Sequence, residues 1–265
     1  MICSIYMSVY CKILGKEGEK AVPASKYRDL SIIPISGEKK LVIACDSTAG
    51  IGEKQQDFVE IDPAITAAYC LRVPLMELFC FGAEPIAVID LVGNEYETTG
   101  KRMLKGIKKE LEKADLTHLP LNGSTEENIE TKTTSLGITV IAETTSEKET
   151  FRMSEACSLL QLGQPFVGEM VRRNTQNIFS YPLVKALKAE RGVLDMLPVG
   201  SKGIRFEAEL MTEGSDFYVE FIEEKELDCS AGPATVVLLA VRTKDEIDIL
   251  TRYPELKKIG EFIKE

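Results

Sequence analysis

The stretch that most constrains this chain is Ile61–Val92, IDPAITAAYCLRVPLMELFCFGAEPIAVIDLV. Asp62 is a good N-cap, and Pro63 suits the first helical position because its missing N–H would have had no partner there. Ile65, Ala68, Leu71, Leu75 and Leu78 recur at helical spacing and define a buried stripe. Gly82 stops the helix in the left-handed conformation and Pro85 prevents its resumption, so the strand Ile86–Ile89 follows at once. Inside this apolar helix stands Glu77. Burying an isolated charge is prohibitively costly, so the carboxylate needs a partner, and a metal ion is one candidate.

A chain of 265 residues buries roughly three quarters of its unfolded surface, enough for one large domain or two ordinary ones. At 44% hydrophobic and 28% charged, the composition is that of a soluble globular protein. No apolar run reaches the roughly 20 residues that span a bilayer. Residues 2–11 are apolar without a preceding basic region or cleavage pattern, which reads as a short strand or extended arm, with Met7 an alternative translation start. No membrane partner and a cytoplasmic location are expected. The seven cysteines form no CxxC pair, and the single histidine, His118, excludes a His-based zinc site and reads as a turn residue. A net charge of −10 argues against a nucleic-acid partner. Lys101 to Lys109 reads as a solvated helix face. An acidic protein that handles phosphorylated ligands needs divalent cations, because carboxylates gather Mg²⁺ and Mg²⁺ holds phosphate oxygens.

Strand and helix patterns alternate along the chain. Leu30–Pro34 and Leu41–Cys45 read as strands, the second ending at Asp46. After the 62–82 helix and its strand, Thr98 or Thr99 caps a second helix with Met103, Ile107, Leu111 and Ala114 as its stripe. Leu119–Leu121 leads into a turn at Asn122-Gly123-Ser124-Thr125, and Thr133–Thr145 is a Thr- and Val-rich strand. The order β-β-α-β-α-β predicts an α+β domain over residues 28–150, after an N-terminal arm of residues 1–27. The polar run Thr144–Thr150 marks the boundary to a second domain, residues 151–265. There Ser158–Leu162, Ile204–Leu210, Phe217–Ile222, Val236–Val241 and Ile259–Ile263 read as strands. Segments 166–174, Tyr181–Arg191 (with Leu183, Ala186 and Leu187 buried) and Lys244–Arg252 read as helices.

Candidate chemistry gathers at strand ends and turns. Asp46 precedes the small-residue loop Ser47–Gly52, which is neither a dinucleotide nor a P-loop motif. The turn with Gly123, Ser124 and Thr125 presents N–H groups and hydroxyls suited to phosphate oxygens, and Glu126 beside it suits Mg²⁺. Asp195 precedes a second small-residue turn, Leu197–Gly203, that carries Lys202. Singly, each is a weak signal.

Together they resemble a family. DPAITAAYCLRVPLMELFCFGAEPIAVIDLV resembles the "DP…A…NLSDIAAMGA.P" segment of the aminoimidazole-ribonucleotide synthetase (PurM-like) superfamily, which includes thiamine-monophosphate kinase and selenophosphate synthetase. Pro74-Leu75-Met76-Glu77 stands in place of Asn-Leu-Ser-Asp, so Glu77 takes the place of a magnesium-binding aspartate. Asp46 falls where these proteins carry an aspartate after the first long strand, and Asn122–Thr125 where they carry Gly-Gly-Asp-Thr or Gly-Gly-Glu-Thr. Leu160–Val171 resembles their second-domain opening. RDLSIIPI, ACDSTAGIGEK, LMELFCFGAEP, NGSTEEN, LPVGSKGIRFEAE and SAGPATVVLLA most resemble the α-ribazole kinase branch. Two departures stand out: Pro74 and Met76 replace the Asn and Ser, and Ser124 replaces the third acidic residue.

The resemblance implies a two-domain PurM-like fold, an N-terminal sheet domain pairing into a dimeric barrel plus a C-terminal α/β sandwich domain, and a homodimer. It implies ATP- and Mg²⁺-dependent phosphorylation of α-ribazole in cobalamin lower-ligand salvage. Asp46, Glu77 and Glu126 would hold Mg²⁺, and Gly123, Ser124 and Thr125 phosphate. Lys202 would stabilise transferred charge and Asp195 would orient the hydroxyl. Another ATP-using enzyme of the superfamily, or a nucleotide-binding homologue without chemistry, remains open.

Overall fold

The computed structural model describes residues 24–145 and 150–265. The readings of residues 1–23 as an arm or strand, and most of the boundary segment 144–150, lie outside the described residues.

The first half contributes β1 (Ser25–Tyr27), β2 (Leu30–Ser36), β3 (Lys39–Ala49), β4 (Ile51–Gly52), β5 (Val59–Glu60), α1 (Pro63–Phe81), β6 (Glu84–Val92), α2 (Lys101–Lys113), β7 (Leu121–Thr125) and β8 (Ser135–Thr145). Six of these strands form one sheet in the order β1-β2-β3-β8-β6-β7. The second half supplies β9 (Cys157–Gly163), α3 (Glu169–Arg173), α4 (Tyr181–Lys188), β10 (Val193–Pro198), α5 (Gly203–Met211), β11 (Phe217–Phe221), β12 (Val236–Arg242), α6 (Glu246–Arg252) and β13 (Leu256–Lys264). Its five strands run β10-β12-β9-β13-β11, all antiparallel.

Local signals set α1 as expected. The Asp62 carboxylate accepts from the Ala64 N–H at 2.8 Å, and Gly82 closes the helix at φ 88°. The helix is buried on almost every side because it sits between the halves, against β3 and β8 of one sheet and β10 of the other. By length and mean hydropathy it is apolar enough to cross a membrane, yet 67% of it is buried within the protein, as a core helix is. Gly106 of α2 lets the two helices touch, since a Cβ there would lie 1.9 Å from the Ala64 carbonyl oxygen. Buried Arg72 of α1 donates to the Phe179 carbonyl at 3.0 Å and covers the Phe179 and Tyr181 rings, so its charge is satisfied inside the second half.

Strand alternation divides the second sheet between two cores. Leu160, Leu162, Val237, Leu239 and Val241 face α1, in one cluster with Leu71, Leu75 and Val140. Leu159, Leu238 and Ala240 face Ile204, Ala208 and Met211 of α5. The sheets separate near residue 150, but one apolar core runs through both halves. On the first sheet the helices cover a single face. The other presents Ile43 opposite Ile141, and Leu91 opposite Gly137. Leu91 is 58% exposed there. Among the described residues no helix packs over this apolar face.

Four local expectations are corrected. Leu121–Thr125 is an edge strand, not a turn, paired in parallel with β6 so that Asp90 meets Gly123. Strand β3 continues past Asp46 to Ala49, because the pairing with β8 runs on to Ala49 opposite Ser135. Ile204–Leu210 is a helix, since Ile204, Ala208 and Met211 bury one helical face. In α4 the buried positions are Tyr181, Val184 and Leu187, and Ala186 is exposed.

Candidate functional site

The inward face of β3 runs along α1, and the Cys70 thiol of the helix donates to the Asp46 carboxylate. Val42 and Ala44 are buried, and two residues further on the same face Asp46 opens into a cleft of about 560 Å³. One wall is a helical stripe of α1, Thr66, Tyr69, Cys70, Val73 and Glu77. The opposite wall comes from the second half: the turn Pro198–Ser201 after β10, Glu207 of α5, and Gly232–Ala234 before β12. Asp29, in the turn between β1 and β2, completes the rim.

Four carboxylates therefore share the cleft: Asp29, Asp46, Glu77 and Glu207. Burial pushes the Glu77 carboxyl up to about 8, reinforced by the negative charges of Asp29 and Glu207 and opposed by Arg28. Glu207 is pushed up to about 7 by burial and by Asp29, against the Gly200 N–H that donates to it and the charge of Lys202. Asp46 is raised by burial, against the Ser47 N–H and the Cys70 thiol. Like charges held together in a partly buried cleft form a site that a cation would relieve. No three of them are grouped closely enough to hold a metal ion unaided among the described residues. Mg²⁺ is commonly bound by one or two carboxylates, with waters and substrate phosphates completing its shell, so the donor set fits that ion.

Asp46 and Glu77 thus face one cavity. Glu126 and Gly123–Thr125 do not join them. Asp46, Ile138, Asp90 and Gly123 form one row across four strands, which puts Gly123 about 14 Å from Asp46. Glu126 follows β7 and accepts from the Asn128 N–H at 2.8 Å. With Mg–O bonds near 2.1 Å, one ion does not reach both Glu126 and Asp46 in the same chain. Lys202, the residue before α5, stands beside the cleft, its ammonium 3.9 Å from the Phe206 ring centre. Asp195 points elsewhere, into a neighbouring cavity, where it is ion-paired with Arg28.

Asp29 and Glu207 were not singled out from the sequence. Asp29 sits in RDLSIIPI just ahead of the first strand, and Glu207 in a segment whose strict alternation hid a helix.

Residues 27–144, the six-stranded sheet with α1 and α2, match the family model "AIR synthase related protein, N-terminal domain". The fold of the whole is PurM-like, with α+β content. Among solved structures, thiamine monophosphate kinase from Aquifex aeolicus superposes with a TM-score of 0.63 at 14% identity, covering 99% of this chain and 93% of that one. A complex of AaThiL with AMPPCP and TMP gives 0.61 at 12% identity, covering 100% and 90%. PurL from T. maritima complexed with FGAR gives 0.56 at 15% identity over 89% of this chain, which spans only 36% of the PurL chain. At these identities the likeness is one of fold. No curated protein matches the sequence.

Proposed function

We propose that this protein is an ATP- and Mg²⁺-dependent phosphotransferase acting in the cleft between its halves, and that its acceptor is the 5′-hydroxyl of α-ribazole. The observation that carries the first part is the convergence of Asp46 and Glu77, with Asp29 and Glu207, on one cavity. A similarly folded thiamine monophosphate kinase binds AMPPCP and TMP, which supports a nucleotide beside a second small molecule. The acceptor rests on the sequence motifs of the α-ribazole kinase branch.

Phosphoryl transfer needs positioning and charge neutralisation more than covalent help from the protein. Asp46 and Glu77 would hold Mg²⁺, which when bound neutralises the phosphate oxygens. Ser47, Thr48 and Ser201 offer hydroxyls to the same cavity. Lys202 would add positive charge at the mouth of the cleft. Asp195, held by Arg28, acts as a positioning residue. Gly123, Ser124, Thr125 and Glu126 form a separate ledge three strands away that would meet phosphate only outside this cleft. The uncovered face of the first sheet fits a homodimer in which two such faces bury Ile43, Leu91 and Ile141 against each other.

Among the described residues no three of the cleft's carboxylates are grouped closely enough to hold a metal ion, which leaves a second reading, a nucleotide-binding homologue without turnover. Incubation with ATP, Mg²⁺ and α-ribazole separates the two: ADP plus a phosphate ester supports the kinase, and Mg²⁺-dependent ATP binding with no ester supports the homologue.

A further inference from the structure

Beyond the carboxylate cleft lies a second cavity of about 480 Å³, of a size that holds a small molecule. Among the described residues Glu77 alone borders both. The turn between β1 and β2 separates them: Arg28, at φ 53°, turns into the second cavity while Asp29 turns into the first. The second cavity's charge is of opposite character. Lys188, at the end of α4, lines it with an ammonium that makes no hydrogen bond or ion pair among the described residues, and burial pulls it below the usual lysine range although Asp195 opposes this. Asp195 itself is committed to Arg28. Arg152 stands exposed at the rim with no ion pair among the described residues, and Ser154 adds a hydroxyl. The Tyr27 hydroxyl, near the Phe151 backbone, is the one buried side-chain polar atom with no hydrogen-bond partner among the described residues. A buried hydroxyl left unpaired is costly, and one anion with several acceptor oxygens would satisfy it while meeting the half-buried Lys188 charge.

We propose that this cavity is a binding site for a small organic phosphate, held by Lys188 and Arg152 with the Tyr27 and Ser154 hydroxyls. A phosphate dianion matches two cations and offers more acceptor oxygens than a carboxylate does. Asp195 is ion-paired with Arg28, so it does not cancel the charge of Lys188 and Arg152. This inference does not rest on the nucleotide reading of the neighbouring cleft.

Calorimetric titration of ribose 5-phosphate into the full chain, in EDTA and without ATP, tests it. Binding is expected, with Lys188→Met and Arg152→Ala each weakening it about tenfold or more. Lys26→Met, in the neighbouring cleft, leaves it as in the wild type, and ribose does not bind. Lys188→Met is expected to melt at or above the wild-type temperature, and Arg152→Ala, at an exposed position, gives an answer independent of folding. No binding at about 10 mM overturns the proposal. Unchanged affinity in both variants, or succinate binding as tightly as ribose 5-phosphate, does so as well.

Discussion

Glu77→Gln keeps the side chain's shape and removes its charge. No described group hydrogen-bonds the Glu77 carboxyl, so the amide forfeits no known contact. In the folded protein the carboxyl titrates at about 8 against an ordinary 4.5, chiefly because it is buried and then because Asp29 and Glu207 face it. Below pH 4.5 folded and unfolded chains both hold the proton, and Glu77 costs nothing. As pH rises through 4.5 the unfolded chain releases its proton and the folded chain does not, so the wild type loses about 1.4 kcal/mol per pH unit until the folded carboxyl ionises. At pH 7 the accumulated cost is about 3 kcal/mol, which the glutamine escapes. For a chain of this size that is a melting temperature higher by about 6 °C. Scanning calorimetry of both proteins in EDTA, from pH 4.5 to 8.5, should show the gap opening from zero and growing with pH. Adding ATP and Mg²⁺ should then raise the wild-type midpoint and leave that of Glu77→Gln in place. Parallel pH profiles, or a variant less stable at pH 7, would refute the reasoning.

Three further outcomes are expected. Asp195→Ala leaves Arg28 unpaired where the two side chains are only 6% and 7% exposed, and should cost about 3–5 kcal/mol in urea unfolding; an unchanged midpoint counts against the ion pair as a clamp between the halves. Gly123→Ala places a Cβ 2.1 Å from the Asp90 carbonyl oxygen, so amide exchange at Leu121–Thr125 should accelerate and stability should fall by about 1–3 kcal/mol. Leu91→Lys charges the uncovered sheet face and should shift sedimentation from dimer to monomer without lowering the melting temperature of the separated chain; a wild type that sediments as a monomer removes the dimer.

What the sequence disclosed was whatever neighbouring residues decide. Asp62, Pro63 and Gly82 announce α1 because caps act within a turn of their own position. The stripe Met103, Ile107, Leu111 and Ala114 announced α2 for a similar reason, one face at one period. The segment Ile204–Leu210 defeated that logic: IRFEAEL alternates as a strand does, while Ile204, Ala208 and Met211 also satisfy a helix. Packing against β10 and β12 chose the helix and left Phe206 38% exposed. Asn122–Thr125 carries turn residues, but pairing with β6 made them a strand. The lining of the cleft was half legible. Asp46 and Glu77 stood out as acids in apolar surroundings, whereas Asp29 and Glu207 acquire meaning only when the second half closes over the first. Glu126, which looked close along the motif pattern, lies three strands away because the sheet order inserts β8 and β6 between β3 and β7.

The most direct measurement is calorimetric titration of ATP into the protein, once with Mg²⁺ and once with EDTA, for wild type and Asp46→Asn. If the carboxylate cleft grips a metal-bound triphosphate, ATP binds the wild type only with Mg²⁺, and the substitution weakens it by about tenfold or more. Equal binding in EDTA, or an Asp46→Asn protein that binds as well as the wild type, contradicts the account.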